Sequence, residues 1–120
     1  MARKKVMIVE DDQVYRDLLV LGLNCEGYET IAAENGAVAS QLLEQSDPDL
    51  ILVDMLMPVM DGIRFLHWLK DEAKSTIPAL VLTCLDGRSF VVDALVAGAS
   101  DVLIKPVTLE TLVNKISALI

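Results

Sequence analysis

Five side chains capable of chemistry stand directly after short apolar runs of this chain: Glu10, Asp11, Asp54, Thr83 and Lys105. The runs before them cover residues 6–9, 50–53, 79–82 and 102–104 and contain only apolar residues, which predicts buried strands of a parallel sheet. The carboxyl ends of parallel strands lie along one edge of the sheet. The five side chains are therefore predicted to converge at that edge.

This set of residue types indicates a phosphoryl-transfer site. Three carboxylates close to one point raise one another's pKa unless a cation neutralises them, and Mg²⁺ prefers hard oxygen ligands. Glu10, Asp11 and Asp54 therefore predict a magnesium site. Asp54 can act as a nucleophile that accepts a phosphoryl group. Lys105, as a point charge, and Thr83, as a hydroxyl donor, would contact the phosphoryl oxygens.

The elements that position these residues follow from five apolar runs alternating with amphipathic segments, a pattern typical of a doubly wound α/β sheet. A weaker strand at residues 30–33 joins the four already described. Helices are predicted over residues 13–25, 38–43, 62–73, 88–96 and 109–119. Asp12 and Asp61 are suited to cap the first and third of these helices. The apolar stripe expected for the first helix is Val14, Leu18, Leu21 and Cys25.

Composition limits the classes of protein to consider. A chain of 120 residues predicts one domain, 1–120, and a hydrophobic content of 53% with a formal net charge of -8 describes an acidic globule. That charge argues against direct binding of nucleic acid, whose phosphates are bound by clustered Lys and Arg. The apolar run after the basic N-terminus is too short for a secretion signal, and no run is long enough to span a membrane.

Cysteine usage and the absence of an export signal together favour a cytoplasmic protein. Cys25 and Cys84 lie far apart, with no second cysteine or histidine at metal-ligand spacing. The expectation is therefore two small buried thiols rather than a disulfide or a zinc site.

The ordered motifs resemble those of the receiver domain of bacterial two-component response regulators, over essentially the whole chain. The motifs are Val9-Glu10-Asp11-Asp12, Asp54-Met55-Leu56-Met57-Pro58 with Asp61-Gly62, Thr83, Ala97-Gly98-Ala99-Ser100-Asp101 and Lys105-Pro106. The resemblance implies a flavodoxin-like, five-stranded parallel sheet in the order 2-1-3-4-5 with helices on both faces. It also implies a cis peptide between Lys105 and Pro106, since X-Pro bonds adopt cis at low cost.

The resemblance further implies a role for each matching residue. Glu10 and Asp11 match the metal-binding acids, Asp54 the phosphoacceptor, Thr83 the switch hydroxyl and Lys105 the active-site lysine. Leu56 matches the residue whose backbone carbonyl completes the Mg²⁺ shell. Such a domain catalyses only its own phosphorylation and dephosphorylation.

The partners implied by the resemblance are a sensor histidine kinase or phosphotransfer protein and an output domain or effector that the sequence does not identify. A homodimer would use the fourth helix, fifth strand and fifth helix. Two positions depart from the family pattern, because Val102 and Val107 stand where receivers usually carry aromatic residues. An aromatic rotation at position 102 therefore cannot report the phosphorylated state.

Two other classes of protein share parts of this pattern. A magnesium-dependent phosphohydrolase with an Asp nucleophile typically has a second Asp two residues later, where this chain has Leu56. A flavin-binding module of flavodoxin type has a phosphate-binding loop rich in Ser, Thr and Gly after its first strand, where this chain has Glu10, Asp11 and Asp12. Flavin colour, turnover of a generic phosphomonoester and labelling by acetyl phosphate would distinguish the three.

Overall fold

Five parallel strands form one sheet in the order β2-β1-β3-β4-β5, which confirms the predicted topology. The computed structural model describes residues 3–54, 62–83 and 88–120. The strands are β1 (Lys5–Val9), β2 (Glu29–Ala33), β3 (Leu50–Asp54), β4 (Ala79–Thr83) and β5 (Asp101–Ile104). β1, β3 and β4 have buried residues on both faces, as continuous apolar runs require.

In the described part of the chain, five α-helices cover the two faces of the sheet: α1 (Gln13–Cys25), α2 (Gly36–Leu43), α3 (Gly62–His67), α4 (Arg88–Ala97) and α5 (Leu109–Leu119). Alternation along the strands decides which residues meet which helices. Ile8 and its same-face neighbours pack against α1 and α5. Met7 and Val81 belong to the clusters on the opposite face, which include residues of α2, α3 and α4. Each strand end is thus held between two helical layers.

The buried stripe of α1 differs from the one predicted. Leu19 and Leu23 are buried and Tyr15 packs beside them, whereas Val14 is 71% exposed and Leu18 60%. The helix carries two apolar stripes, so spacing alone could not tell which one faces the sheet. Cys25 lies on the outer stripe and is exposed, which also corrects the expectation of a buried thiol there.

The third helix is shorter than predicted and continues as a π-helical turn. α3 ends at His67, and residues Trp68–Glu72 form the π-helical turn that leads toward β4. Phe65 is fully buried in α3 and stacks on Trp68, with ring centroids 6.0 Å apart. The predicted cap Asp61 and the second cysteine, Cys84, lie outside the described residues.

Candidate functional site

Strand register brings the predicted site residues to one edge of the sheet. Val9 pairs with Val53 between β1 and β3, and Glu10 and Asp54 are the residues that come directly after this pair. Asp54 pairs with Leu82 between β3 and β4, which places Thr83 one residue further on. Thr83 in turn pairs with Ile104, the residue before Lys105. Four separate stretches of chain therefore meet at this edge.

Glu10, Asp11 and Asp54 form an acidic cluster. One carboxylate oxygen from each lies within 4.8 Å of the other two. Glu10 is only 3% exposed, Asp54 is half-buried and Asp11 faces solvent. The cluster therefore combines one buried carboxylate with one that is exposed to solvent.

Lys105 provides the positive charge beside the acidic cluster. Its Nζ lies 3.5 Å from Oε2 of Glu10 and 3.7 Å from Oδ1 of Asp54. The backbone N–H of Lys105 donates a hydrogen bond to the carbonyl oxygen of Thr83 at 2.7 Å, which joins the residue after β5 to the end of β4. The predicted cis peptide between Lys105 and Pro106 is present. Thr83 itself is 1% exposed.

The first turn of α1 fixes the backbone of the acidic pair. Asp12 caps the helix as predicted, because its Oδ1 accepts hydrogen bonds from the backbone N–H groups of Val14 and Tyr15 at 3.0 and 3.4 Å. Nη1 of Arg16 donates to the carbonyl oxygen of Glu10 at 2.8 Å. These contacts lock Glu10 and Asp11 between the end of β1 and the start of α1.

Burial and crowding of charge perturb the ionisation of the site. Burial, followed by the negative charge of Asp54, raises the pKa of Glu10 from its usual 4.5 to about 7. Burial is the largest single influence on Lys105 and lowers its pKa, but the carboxylates of Asp54 and Glu10 together outweigh it, so the pKa is raised. Ionisation of Glu10 is therefore opposed by its burial and by Asp54, whereas the positive charge of Lys105 is favoured by both carboxylates.

The raised pKa of Glu10 predicts how the metal-free protein responds to pH. Below the pKa of the unfolded chain, Glu10 is protonated in both states. As pH rises from about 4.5 to about 7, the unfolded chain loses this proton before the folded protein does, so stability falls. At one pKa unit per 1.36 kcal/mol, the loss is up to about 3 kcal/mol.

Chemical denaturation in the presence of a chelator, between about pH 5 and about pH 8, measures this loss. Glu10→Gln should flatten the stability profile across that range, because glutamine does not titrate. Glu34→Gln, at an exposed position, is the matched control and should keep the wild-type profile. A Glu10→Gln profile as steep as that of wild type would contradict the assignment of the pH dependence to Glu10.

Sequence reasoning missed Tyr15. Its ring lies beside Lys105, with Nζ 4.5 Å from the ring centroid. The signal was present in the sequence, because Tyr15, Leu19 and Leu23 recur every four residues and mark the inner stripe of α1. One further predicted site residue, Leu56, lies outside the described residues.

Residues 6–117 match the family described as the response regulator receiver domain. The chain is 38% identical to the Regulator of RpoS of Escherichia coli over 104 residues, covering 87% of this chain and 31% of that protein. It is 35% identical to Response regulator MprA of Mycobacterium sp. over 116 residues, covering 97% of this chain and 50% of that protein. The chain thus spans half or less of the length of these two curated relatives.

Solved receiver structures share the whole fold. Chemotaxis protein CheY4 of Vibrio cholerae matches with a TM-score of 0.93 and 28% identity, over 99% of this chain and 100% of that one. The signal receiver domain of a histidine kinase from Syntrophus aciditrophicus matches with a TM-score of 0.89 and 37% identity, over 97% and 89%. The chain belongs to the response regulator receiver domain family, a family of two-component signalling switches.

Proposed function

We propose that this receiver domain accepts a phosphoryl group on Asp54 in a Mg²⁺-dependent reaction and passes the resulting state to an output partner or domain. The observation that carries the proposal is the convergence of the acidic cluster and Lys105 at one sheet edge. A nucleophilic carboxylate, acidic metal ligands and a cation are the groups that phosphoryl transfer needs. Receiver domains are in general signalling domains rather than enzymes, and this chain would act on no substrate other than its own phosphoryl group.

The residues present fit Mg²⁺. The donor set is three carboxylates with oxygens within 4.8 Å of one another, and hard oxygen donors are the ligands that this ion prefers. Burial is the main cause of the raised pKa of Glu10, and the negative charge of Asp54, which a divalent cation would neutralise, is the second. Glu10, Asp11 and Asp54 would hold the ion, together with the backbone carbonyl of Leu56, which lies outside the described residues. When bound, Mg²⁺ supplies charge neutralisation for the carboxylates and the phosphoryl oxygens.

The transfer step forms one bond and breaks one. A carboxylate oxygen of Asp54 attacks phosphorus, and in a phosphohistidine donor the P–N bond breaks with its electron pair passing to the imidazole nitrogen. That nitrogen then takes a proton, and Asp54 is left as an acyl phosphate. The Lys105 ammonium would contact a phosphoryl oxygen, since its Nζ is already 3.7 Å from Oδ1 of Asp54. The Thr83 hydroxyl would donate to another.

The partners follow from the family. We propose a sensor histidine kinase or a phosphotransfer protein as the donor, an output domain or effector as the recipient of the signal, and a single receiver domain over residues 1–120. Among the described residues, no helix is both long and apolar enough to cross a membrane. With this function we propose that the protein is cytoplasmic and binds neither a membrane nor nucleic acid directly.

We propose that two phosphorylated copies of the receiver form a homodimer through α4, β5 and α5. Val92, Leu95 and Val96 on α4 and Ile104 on β5 are large apolar side chains that remain exposed in one copy. Their exposure supports this surface, because pairing would remove them from water.

Labelling of the wild-type protein tests the proposed function. Incubation with acetyl phosphate and Mg²⁺ should add one phosphoryl group, measured by intact-protein mass spectrometry. An excess of chelator should suppress the labelling, because the divalent cation that would neutralise the carboxylates around Asp54 is then removed. Failure to label with Mg²⁺ present would contradict the proposal, and equal labelling with the chelator would contradict the role of the metal. Sustained turnover of p-nitrophenyl phosphate would favour the phosphohydrolase instead.

A further inference from the structure

The ring of Tyr15 contacts the Lys105 ammonium, and the proposed phosphoryl transfer assigns no role to this contact. The ring is half-buried on α1, and the Lys105 ammonium lies 4.5 Å from its centroid. A cation within about 6 Å of an aromatic ring centroid is attracted by the negative face of the ring. The ring therefore contacts the same nitrogen that lies beside Glu10 and Asp54.

We propose that Tyr15 is a positioning residue whose ring holds the Lys105 ammonium where it can contact a phosphoryl group on Asp54. The inference rests on the proposed function. This role requires no contact of Tyr15 with the reacting carboxylate or with the phosphoryl donor. Tyr15 acts through Lys105.

The need for such a support comes from two competing carboxylates. Lysine carries its charge on a flexible four-carbon stem. The nitrogen lies 3.5 Å from Glu10 and 3.7 Å from Asp54, longer than the roughly 2.7–2.9 Å of a direct charge-assisted hydrogen bond. A closed pair with the buried Glu10 would draw the ammonium away from Asp54. An aromatic face attracts the ammonium without offering a competing carboxylate, so it restricts the stem and keeps the ammonium near Asp54.

The ring can serve as a support because it is itself fixed. Tyr15 packs against the core cluster that contains Leu19 and Leu23. Its backbone N–H donates to the capping carboxylate of Asp12, and the next residue, Arg16, holds the carbonyl of Glu10. The first turn of α1 thus places the ring and the acidic pair in one rigid unit.

Three variants separate the ring from the hydroxyl and from general packing. Tyr15→Leu removes the aromatic face but keeps an apolar side chain, and Tyr15→Phe keeps the ring without the hydroxyl. Val20→Ala is the matched control, because Val20 lies on the same helix, half-buried against the same cluster. For each protein, the rate of labelling by acetyl phosphate with Mg²⁺ is measured as a function of donor concentration, which separates the saturated rate from the half-saturating concentration.

Tyr15→Leu should lower the saturated labelling rate about three- to tenfold, the range expected for loss of a partly desolvated cation–π contact. Tyr15→Phe should label within about twofold of wild type, because its ring still attracts the ammonium. Val20→Ala should also keep the wild-type rate. An unchanged rate in Tyr15→Leu, an equal loss in Tyr15→Phe, or an equal loss in Val20→Ala would each overturn the inference.

A spectroscopic measurement tests the contact without phosphorylation. The Lys105 ε-methylene protons should be shifted upfield by the ring current in wild type and in Tyr15→Phe, and should lose that shift in Tyr15→Leu. Equal shifts in wild type and Tyr15→Leu would overturn the contact. A wild-type protein that shows the ring-current shift but takes up no phosphoryl group would refute the proposed function and, with it, the role of Tyr15. Labelling of wild type with no effect in Tyr15→Leu would refute only the role of Tyr15.

Discussion

Asp54→Asn should abolish labelling by acetyl phosphate. Asp54 is half-buried at the end of β3, and its Oδ1 lies beside Nζ of Lys105. Asparagine has nearly the same shape, but its neutral amide is a far weaker nucleophile than a carboxylate. The variant should also unfold at higher denaturant concentration than wild type in chelator, because one charge of the repelling cluster is gone. Intact-protein mass spectrometry measures the first effect and urea denaturation the second.

Asp101→Asn is the matched control for that experiment. Asp101 begins β5 and pairs with Lys115 at 2.6 Å, away from the acidic cluster. Its replacement removes a partly exposed ion pair, for which a cost of about 1 kcal/mol or less is expected. The control should label fully. Full labelling of Asp54→Asn would show that another residue accepts the phosphoryl group.

Lys105→Ala should reduce the labelling rate by about a hundredfold or more, the cost typical of removing a preorganised donor from developing charge. Lys105 is placed between the carboxylates of Glu10 and Asp54, where the phosphoryl oxygens would arrive. Rapid-quench labelling at saturating acetyl phosphate measures the rate. Urea denaturation with Mg²⁺ present establishes that the variant remains folded.

Two companion variants sharpen the Lys105 experiment. Lys105→Arg keeps the positive charge but replaces a compact ammonium with a planar fork, so it should recover only part of the rate. Lys115→Ala removes a lysine from a different ion pair and should label at the wild-type rate. A Lys105→Ala rate within about threefold of wild type would contradict the assignment of Lys105 to the transferring phosphoryl group.

The parallel sheet could be predicted because β1, β3, β4 and β5 contain short, continuous apolar runs, and the family resemblance implied the order of its strands. Continuous burial on both faces is a property of parallel strands, and parallel strands place their carboxyl ends together. That rule predicted the approach of Glu10 to Asp54 from residues separated by more than forty positions, and the register confirms it. The cap at Asp12 was also predictable, since it depends only on neighbouring residues.

The features that could not be predicted depend on competition between similar alternatives. In α1, the stripes containing Leu18 and Leu19 are both apolar, and tertiary packing selects the second. The π-helical turn Trp68–Glu72 has no distinct signature in the sequence. The position of Tyr15 beside Lys105 depended on the choice of stripe in α1, so the error in the stripe also concealed the aromatic contact.

The site was predicted as a set of residue types, but its electrostatics required coordinates. Glu10 and Asp11 are adjacent in sequence, yet Glu10 is buried and Asp11 exposed. Glu10 directly follows the buried residues of β1, whereas Asp11 lies at the bend where the chain leaves the sheet toward α1. The raised pKa of Glu10 follows from that burial first and from Asp54 second.

The most direct test is the position of the phosphoryl group in the labelled wild-type protein. Borohydride reduces an aspartyl phosphate to homoserine, and peptide mass spectrometry locates that residue. Phosphorylation at the proposed site predicts homoserine at position 54, dependent on both acetyl phosphate and Mg²⁺. Homoserine at another position, or none in a protein that carries the phosphoryl group, would contradict the proposal that Asp54 is the phosphoacceptor.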